Sequence, residues 1–129
     1  MFEVSVEEVF PAGHSLRNYH GKCENVHGHN YRVCVTVRGQ DVDENGLLVD
    51  FAVVKKLVRA VKDRLDHQYL NDLEPFDKIN PSAENIAKYF YDEIAGGLNP
   101  GDLSSGTGAK LYEVKLWETD VTYATYRPH

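Results

Sequence analysis

The chain has 129 residues, of which 42% are apolar and 26% charged, with a formal net charge of -6. That length fits one domain, residues 1–129, able to build a core without disulfides or a structural metal. The acidic balance argues against a nucleic-acid partner, since phosphate backbones need a basic footprint, but leaves room for a small anion in a local basic pocket. No apolar run reaches signal-peptide or membrane length, so no membrane partner and a cytoplasmic location are expected. Cys23 and Cys34 form no disulfide framework and are expected to be reduced.

Residues 2–14 alternate, with Val4, Val6, Phe10, Ala12 and His14 on one face and Glu8 breaking that face once. Residues 29–38 alternate too, with His29, Tyr31, Val33, Val35 and Val37 on one face. Both read as half-buried antiparallel strands joined by a long loop over 15–28. The turn at 41–46 begins like a calcium loop, but the twelfth position is Ala52, where a bidentate Glu is needed. Asp50 is a helix N-cap, with Val49 and Val54 placed as a hydrophobic staple. Phe51, Val54, Leu57, Val58, Val61 and Leu65 then form the buried stripe of an amphipathic helix, and its basic residues a solvated face. That helix runs out into Asp66-His67, where His67 is either a C-cap residue or a functional one. A second helix starts near Asn80-Pro81-Ser82, with Asn80 as the cap and Ser82 its rival, buries Ile86, Tyr89, Phe90 and Ile94, and ends at Gly96-Gly97. After a glycine-rich loop, strands return at 110–118 and 121–127. Tyr112, Val114, Leu116 and Glu118 share one face of the first, so Glu118 ends an apolar row as either a solvated strand end or a ligand-binding carboxylate.

The order strand, strand, helix, helix, strand, strand predicts an α+β fold: a four-stranded antiparallel sheet with two helices on its apolar face. Its edges are free to pair with other subunits.

The chemistry concentrates in Cys23-Glu-Asn-Val-His27-Gly-His29. Residues two apart on a strand share a face, so His27 and His29 reach one ion from one piece of backbone. Matching the apolar faces requires even positions of the first strand to oppose odd positions of the second. Setting His14 opposite His29 satisfies this, places Phe10 against Val33 and Val6 against Val37, and gathers His14, His27 and His29 into a three-histidine metal site. The competing reading is three unrelated core or surface histidines.

These motifs resemble the 6-pyruvoyltetrahydropterin synthase family, and within it the bacterial 6-carboxytetrahydropterin synthases of queuosine biosynthesis. The resemblance rests on Phe10-Pro-Ala-Gly-His14, Cys23-x-x-x-His27-Gly-His29-Asn-Tyr31, Gly46-Leu-Leu-Val-Asp50-Phe51, Leu65-Asp66-His67-x-x-Leu70-Asn71, Pro81-Ser-Ala-Glu84-Asn85 and Trp117-Glu118-Thr119. It implies a tunnelling fold whose trimers close a twelve-stranded barrel and stack into a homohexamer. It further implies zinc on His14, His27 and His29, Cys23 as a proton-transferring thiol, Asp66 and His67 arriving from a neighbouring subunit, and Glu118 as the pterin anchor. The substrate it implies is 7,8-dihydroneopterin triphosphate, with Arg17 and Lys22 as candidates for the triphosphate. Three residues separate Cys23 from His27, where animal pyruvoyl enzymes have five, which favours the carboxy product. Ala83 stands where some members carry a threonine near the pterin. The alternatives are the pyruvoyl-type reaction without carbon–carbon cleavage, and a non-catalytic zinc module that binds a pterin or purine, with Cys23 closing the metal as a fourth ligand. A zinc deaminase is disfavoured for want of its His-x-Glu and Pro-Cys-x-x-Cys signature.

Overall fold

The computed structural model describes residues 1–18, 24–99, 101–103 and 106–129. Strands β1 (Phe2–His14) and β2 (His27–Gly39) are followed by helices α1 (Phe51–Leu65) and α2 (Ala83–Gly97), then strands β3 (Lys110–Thr119) and β4 (Thr122–Tyr126). The sheet is antiparallel throughout, in the order β1-β2-β3-β4. Helix α1 lies against β1, α2 against β3 and β4, and the helices touch each other. The core between sheet and helices holds Phe10, Tyr31, Val33, Val35, Leu116, Val58 and Phe90, all nearly or fully buried. Each such side chain contributes about 1.5–3 kcal/mol on leaving water.

The β1–β2 register differs from the expected one. His14 opposes His27, Ala12 opposes His29, Phe10 opposes Tyr31 and Val6 opposes Val35. The pairing is shifted by two residues from the predicted His14–His29 match, which leaves every side chain on its predicted face. Two physical gains favour the observed register. All 13 residues of each strand find a partner, from Phe2↔Gly39 to His14↔His27. Phe10 also stacks on Tyr31, with ring centroids 5.3 Å apart and planes inclined by 19°, an arrangement worth about 0.5–1.5 kcal/mol beyond burial.

A second departure lies on β3. The register slips between Thr36 and Val37, which pair with Glu113 and Leu111. Tyr112 is the extra residue of this bulge and leaves the apolar row predicted for it. It sits instead beneath the Arg38 guanidinium, 3.5 Å from ring centre to Cζ, with Arg127 at 5.2 Å. Leu111 packs on the core in its place. Glu8, the break in the apolar face of β1, is answered from α1 by Arg59 at 2.7 Å, so Arg59 belongs to an ion pair and not only to a solvated face.

Both helix starts are capped by side chains. Asp50 accepts from the Ala52 amide at 2.9 Å, and Val49 and Val54 are buried as a staple requires. Phe51, predicted in the stripe, is 47% exposed. At α2 the cap is Ser82, which accepts from the Asn85 amide at 3.2 Å. Asn80 is drawn away from the capping role by the backbone of Arg17, described below.

Candidate metal centre and active site

At the end of the sheet where β1 stops and β2 begins, His14, His27 and His29 converge on the helix-covered face. One nitrogen from each lies within 4.8 Å of the others. The rings meet edge to face, at centroid separations of 4.6, 5.0 and 4.9 Å, so their nitrogens point inward instead of the rings stacking. His14 is almost fully buried.

Two backbone carbonyls decide the protonation of this group. His14 Nδ1 is 2.7 Å from the Pro81 carbonyl oxygen, and His27 Nδ1 is 2.7 Å from that of Asn25. A carbonyl only accepts, so both Nδ1 atoms carry hydrogen and both Nε2 atoms present lone pairs. Those two Nε2 atoms stand 3.0 Å apart. Two lone pairs at that distance repel unless a cation lies between them. Burial holds His14 and His29 below the usual histidine range, and the Glu118 carboxylate only partly opposes this. Neutral imidazoles with aligned lone pairs are the ligating form. The donor set therefore fits a divalent metal of the zinc type, held by three ligands with a coordination position left for another group.

Glu118 enters from β3. The strand register slips between Trp117 and Thr119, and Glu118 is the unpaired residue there, a position at which a bulge re-aims its side chain. Its Oε1 lies 3.9 Å from His14 Nε2, and the carboxylate is 27% exposed. It stands beside the metal group without joining it. It opens on a cleft of about 440 Å³ lined by Ala83, Glu84, Thr122, Tyr123 and Thr125. Tyr31, stacked below the histidines, has its hydroxyl buried without a hydrogen-bond partner, and burial pushes its ionisation far up.

Asp66 and His67 lie elsewhere. Helix α1 ends at Leu65, Asp66 caps it, and His67 takes the left-handed conformation at φ 59°. This turn brings two sequence neighbours face to face, with His67 Nδ1 2.8 Å from Asp66 Oδ1. The following segment runs along the edge of β1. The His67 amide donates to the Pro11 carbonyl at 2.7 Å, and the Gly13 amide donates to that of Gln68 at 2.9 Å. His67 is 77% exposed and lines a groove of about 570 Å³ floored by Gly13 and Gly28. Among the described residues, the three imidazoles form the metal group without the Asp66–His67 pair. Cys23 and Lys22 lie outside the described residues.

Arg17 is not free for an anion. Its guanidinium donates to the carbonyls of Phe76 at 2.7 Å and Ile79 at 3.2 Å, with that of Asn71 at 3.5 Å. The sequence reading missed the carbonyls of Pro81 and Asn25 that orient the ligands. No side-chain pattern signals a backbone acceptor, although the Asn80-Pro81 turn was visible. Another large concavity, about 430 Å³ around Met1, Arg38, Lys110 and Arg127, lies at the opposite end of the strands. There Arg38 is paired with Glu3, and Arg127 with Glu113.

The fold and site together define an α+β domain with a metal-ready trio of imidazoles at one end of its sheet and a carboxylate beside it. Residues 3–129 match the family model described as 6-pyruvoyl tetrahydropterin synthase. The chain belongs to that family. It is 36% identical to the 6-carboxy-5,6,7,8-tetrahydropterin synthase of Bacillus subtilis, over 98% of this chain and 86% of the relative. It is also 36% identical to the human 6-pyruvoyl tetrahydrobiopterin synthase, over 83% of this chain and 71% of the relative. The solved structure of the Caenorhabditis elegans 6-pyruvoyl tetrahydropterin synthase superposes with a TM-score of 0.80 at 32% identity, covering 100% of this chain and 98% of that one. The tunnelling fold and its ββααββ order accord with these structures.

Proposed function

We propose that the protein is a zinc-dependent lyase that converts 7,8-dihydroneopterin triphosphate to 6-carboxy-5,6,7,8-tetrahydropterin, releasing triphosphate and acetaldehyde, in queuosine biosynthesis. The observation that carries this reading is the pair of Nε2 lone pairs, 3.0 Å apart and facing each other in a partly buried pocket, on a chain of this family. His14, His27 and His29 hold the zinc. When bound, the metal supplies Lewis acidity toward the side-chain oxygens of the substrate.

The protein's own residues do the rest. Glu118 accepts two parallel hydrogen bonds from the ring amino group and adjacent N–H of the pterin, a charge-assisted match that also sets the ring's angle. Cys23, as a thiolate, takes the proton from the substrate side chain. Asp66 accepts from His67 Nδ1, which leaves Nε2 to move the second proton. Because His67 is exposed and turned out along the edge of β1, it serves the metal centre of a neighbouring subunit. We therefore place the chain in a homohexamer, a dimer of trimers, with β1 and β4 pairing across subunits. A reduced catalytic thiol suits the cytoplasm.

The pyruvoyl-type reaction is the competing reading, and the relatives are evenly poised. Proteins named for that product, from human and Drosophila melanogaster, are 36% and 38% identical over 83% of this chain. Two features support the carboxy product: the short Cys23–His27 spacing, and the bacterial relatives from Bacillus subtilis and Synechocystis aligning over 98% of the chain at 36% and 33% identity. Product analysis by mass on zinc-loaded protein separates the readings. Acetaldehyde with 6-carboxytetrahydropterin is expected; an intact pyruvoyl side chain would transfer the protein to the other group, and unchanged substrate would remove it from both.

A further inference from the structure

Beyond His14, residues 15–18 run on outside the sheet, and two side-chain amides take the place of a neighbouring strand. Asn71 Oδ1 accepts from the Ser15 amide at 2.9 Å while Asn71 Nδ2 donates to the Ser15 carbonyl at 2.9 Å. Asn80 repeats the pattern on Arg17, accepting at 2.8 Å and donating at 3.0 Å. Each carboxamide thus closes a two-bond ring with one residue's backbone. Further ties run the same way. Ser15 Oγ meets the Tyr69 hydroxyl at 2.9 Å, and the Arg17 guanidinium clasps the carbonyls of Phe76 and Ile79. Asn71 is 7% exposed, so its bonds form away from competing water.

The placement of Asn80 is what gives this a consequence. Its neighbour Pro81 supplies the carbonyl that orients His14. One dipeptide therefore holds a metal ligand through its second residue and, through its first, the backbone of the chain that departs toward Cys23. We propose that Asn71 and Asn80 are positioning residues, which set the segment leading to Cys23 in fixed relation to the three imidazoles. The proposal rests on the lyase reading, in which Cys23 handles a proton beside the metal centre. Proton transfer and near-attack geometry tolerate little misplacement, and an error of about 1 Å costs on the order of a hundredfold in rate.

An amide is required because only it carries a donor and an acceptor on the same end. Aspartate has the same shape but only acceptors, so Asn71→Asp or Asn80→Asp turns one bond of each ring into a carboxylate facing a carbonyl oxygen. Both variants are made in the full chain, loaded with zinc and assayed with dihydroneopterin triphosphate. Zinc content and KM are expected within twofold of the parent, with kcat at least tenfold lower. The rate at which iodoacetamide labels Cys23, read by peptide mass separately from Cys34, is expected to change at least threefold. A kcat that falls only in step with the folded fraction, or a loss confined to KM, overturns the proposal. Should the parent itself give no turnover, the lyase reading fails, and the labelling rate alone then judges the clamp: an unaltered rate overturns it. Asn80→Asp, at the less buried of the two positions, carries the test if Asn71→Asp does not fold.

Discussion

Removing His14 tests the metal centre most directly. The ring is 1% exposed, its Nδ1 is spent on the Pro81 carbonyl, and its Nε2 lies 3.0 Å from that of His27. His14→Ala deletes one of three ligands. Structural zinc sites with four ligands bind with about 10–16 kcal/mol, so one ligand is worth about 3–4 kcal/mol, a factor of roughly 200–1,000 in affinity. The substitution also strips the Pro81 carbonyl of its donor, at about 1–3 kcal/mol, whether or not metal is present. The two effects separate in a thermal-shift titration. For the parent, zinc at a thousand times its Kd adds about 4 kcal/mol, equivalent to about 10–15 °C in Tm for a chain of this size. The variant should start from a lower metal-free Tm and show almost no zinc-dependent rise at the same concentration. A variant that kept the full rise would mean that His14 is no ligand, and the lone-pair argument would fail with it.

Metal-free protein should lose stability as pH falls from about 7 through the usual histidine range. Burial holds His14 and His29 below 6.5 in the folded chain, so the unfolded chain binds more protons there and acid favours it. Urea titrations at pH 7.5 and 5.5 check this, and zinc should enlarge the difference; equal midpoints without metal would contradict it. Glu118→Gln should keep zinc and weaken pterin binding by about 2 kcal/mol, or roughly 30-fold, since one acceptor becomes a donor facing a donor. Zinc lost from that variant would make Glu118 a ligand instead of an anchor. Cys23→Ala should retain zinc and lose turnover by about 10²–10⁴-fold, a result checked by metal analysis beside the product assay. Asp50→Ala removes the cap bond to Ala52 and should cost about 1 kcal/mol in urea unfolding of the zinc-loaded protein with no change in zinc affinity. A change in affinity would tie α1 to the metal centre.

Alternation alone put His14, His27 and His29 on the buried face of two paired strands, because a residue's face depends only on whether its position is odd or even. The same periodicity, read at 3.6 residues per turn, exposed the α1 stripe from Val54 to Leu65 and the Ile86–Ile94 stripe of α2, and the chemistry of Asp50 marked where α1 begins. Register was another matter. A slide of two residues preserves every face, so nothing in the alternation distinguishes His14 opposite His29 from His14 opposite His27; the Phe10–Tyr31 stack and the full 13-residue ladder made that choice. The bulges that turned Tyr112 outward and left Glu118 unpaired arise from a mismatch in residue count between neighbouring strands. Such a mismatch exists only once the strands are side by side. Asn80 looked like a cap by residue type and became a clamp because the Arg17 backbone, 63 residues away in the chain, needed both its donor and its acceptor. Residue identity and spacing thus determined which groups could meet; the long-range pairing of backbone and rings decided which of them did.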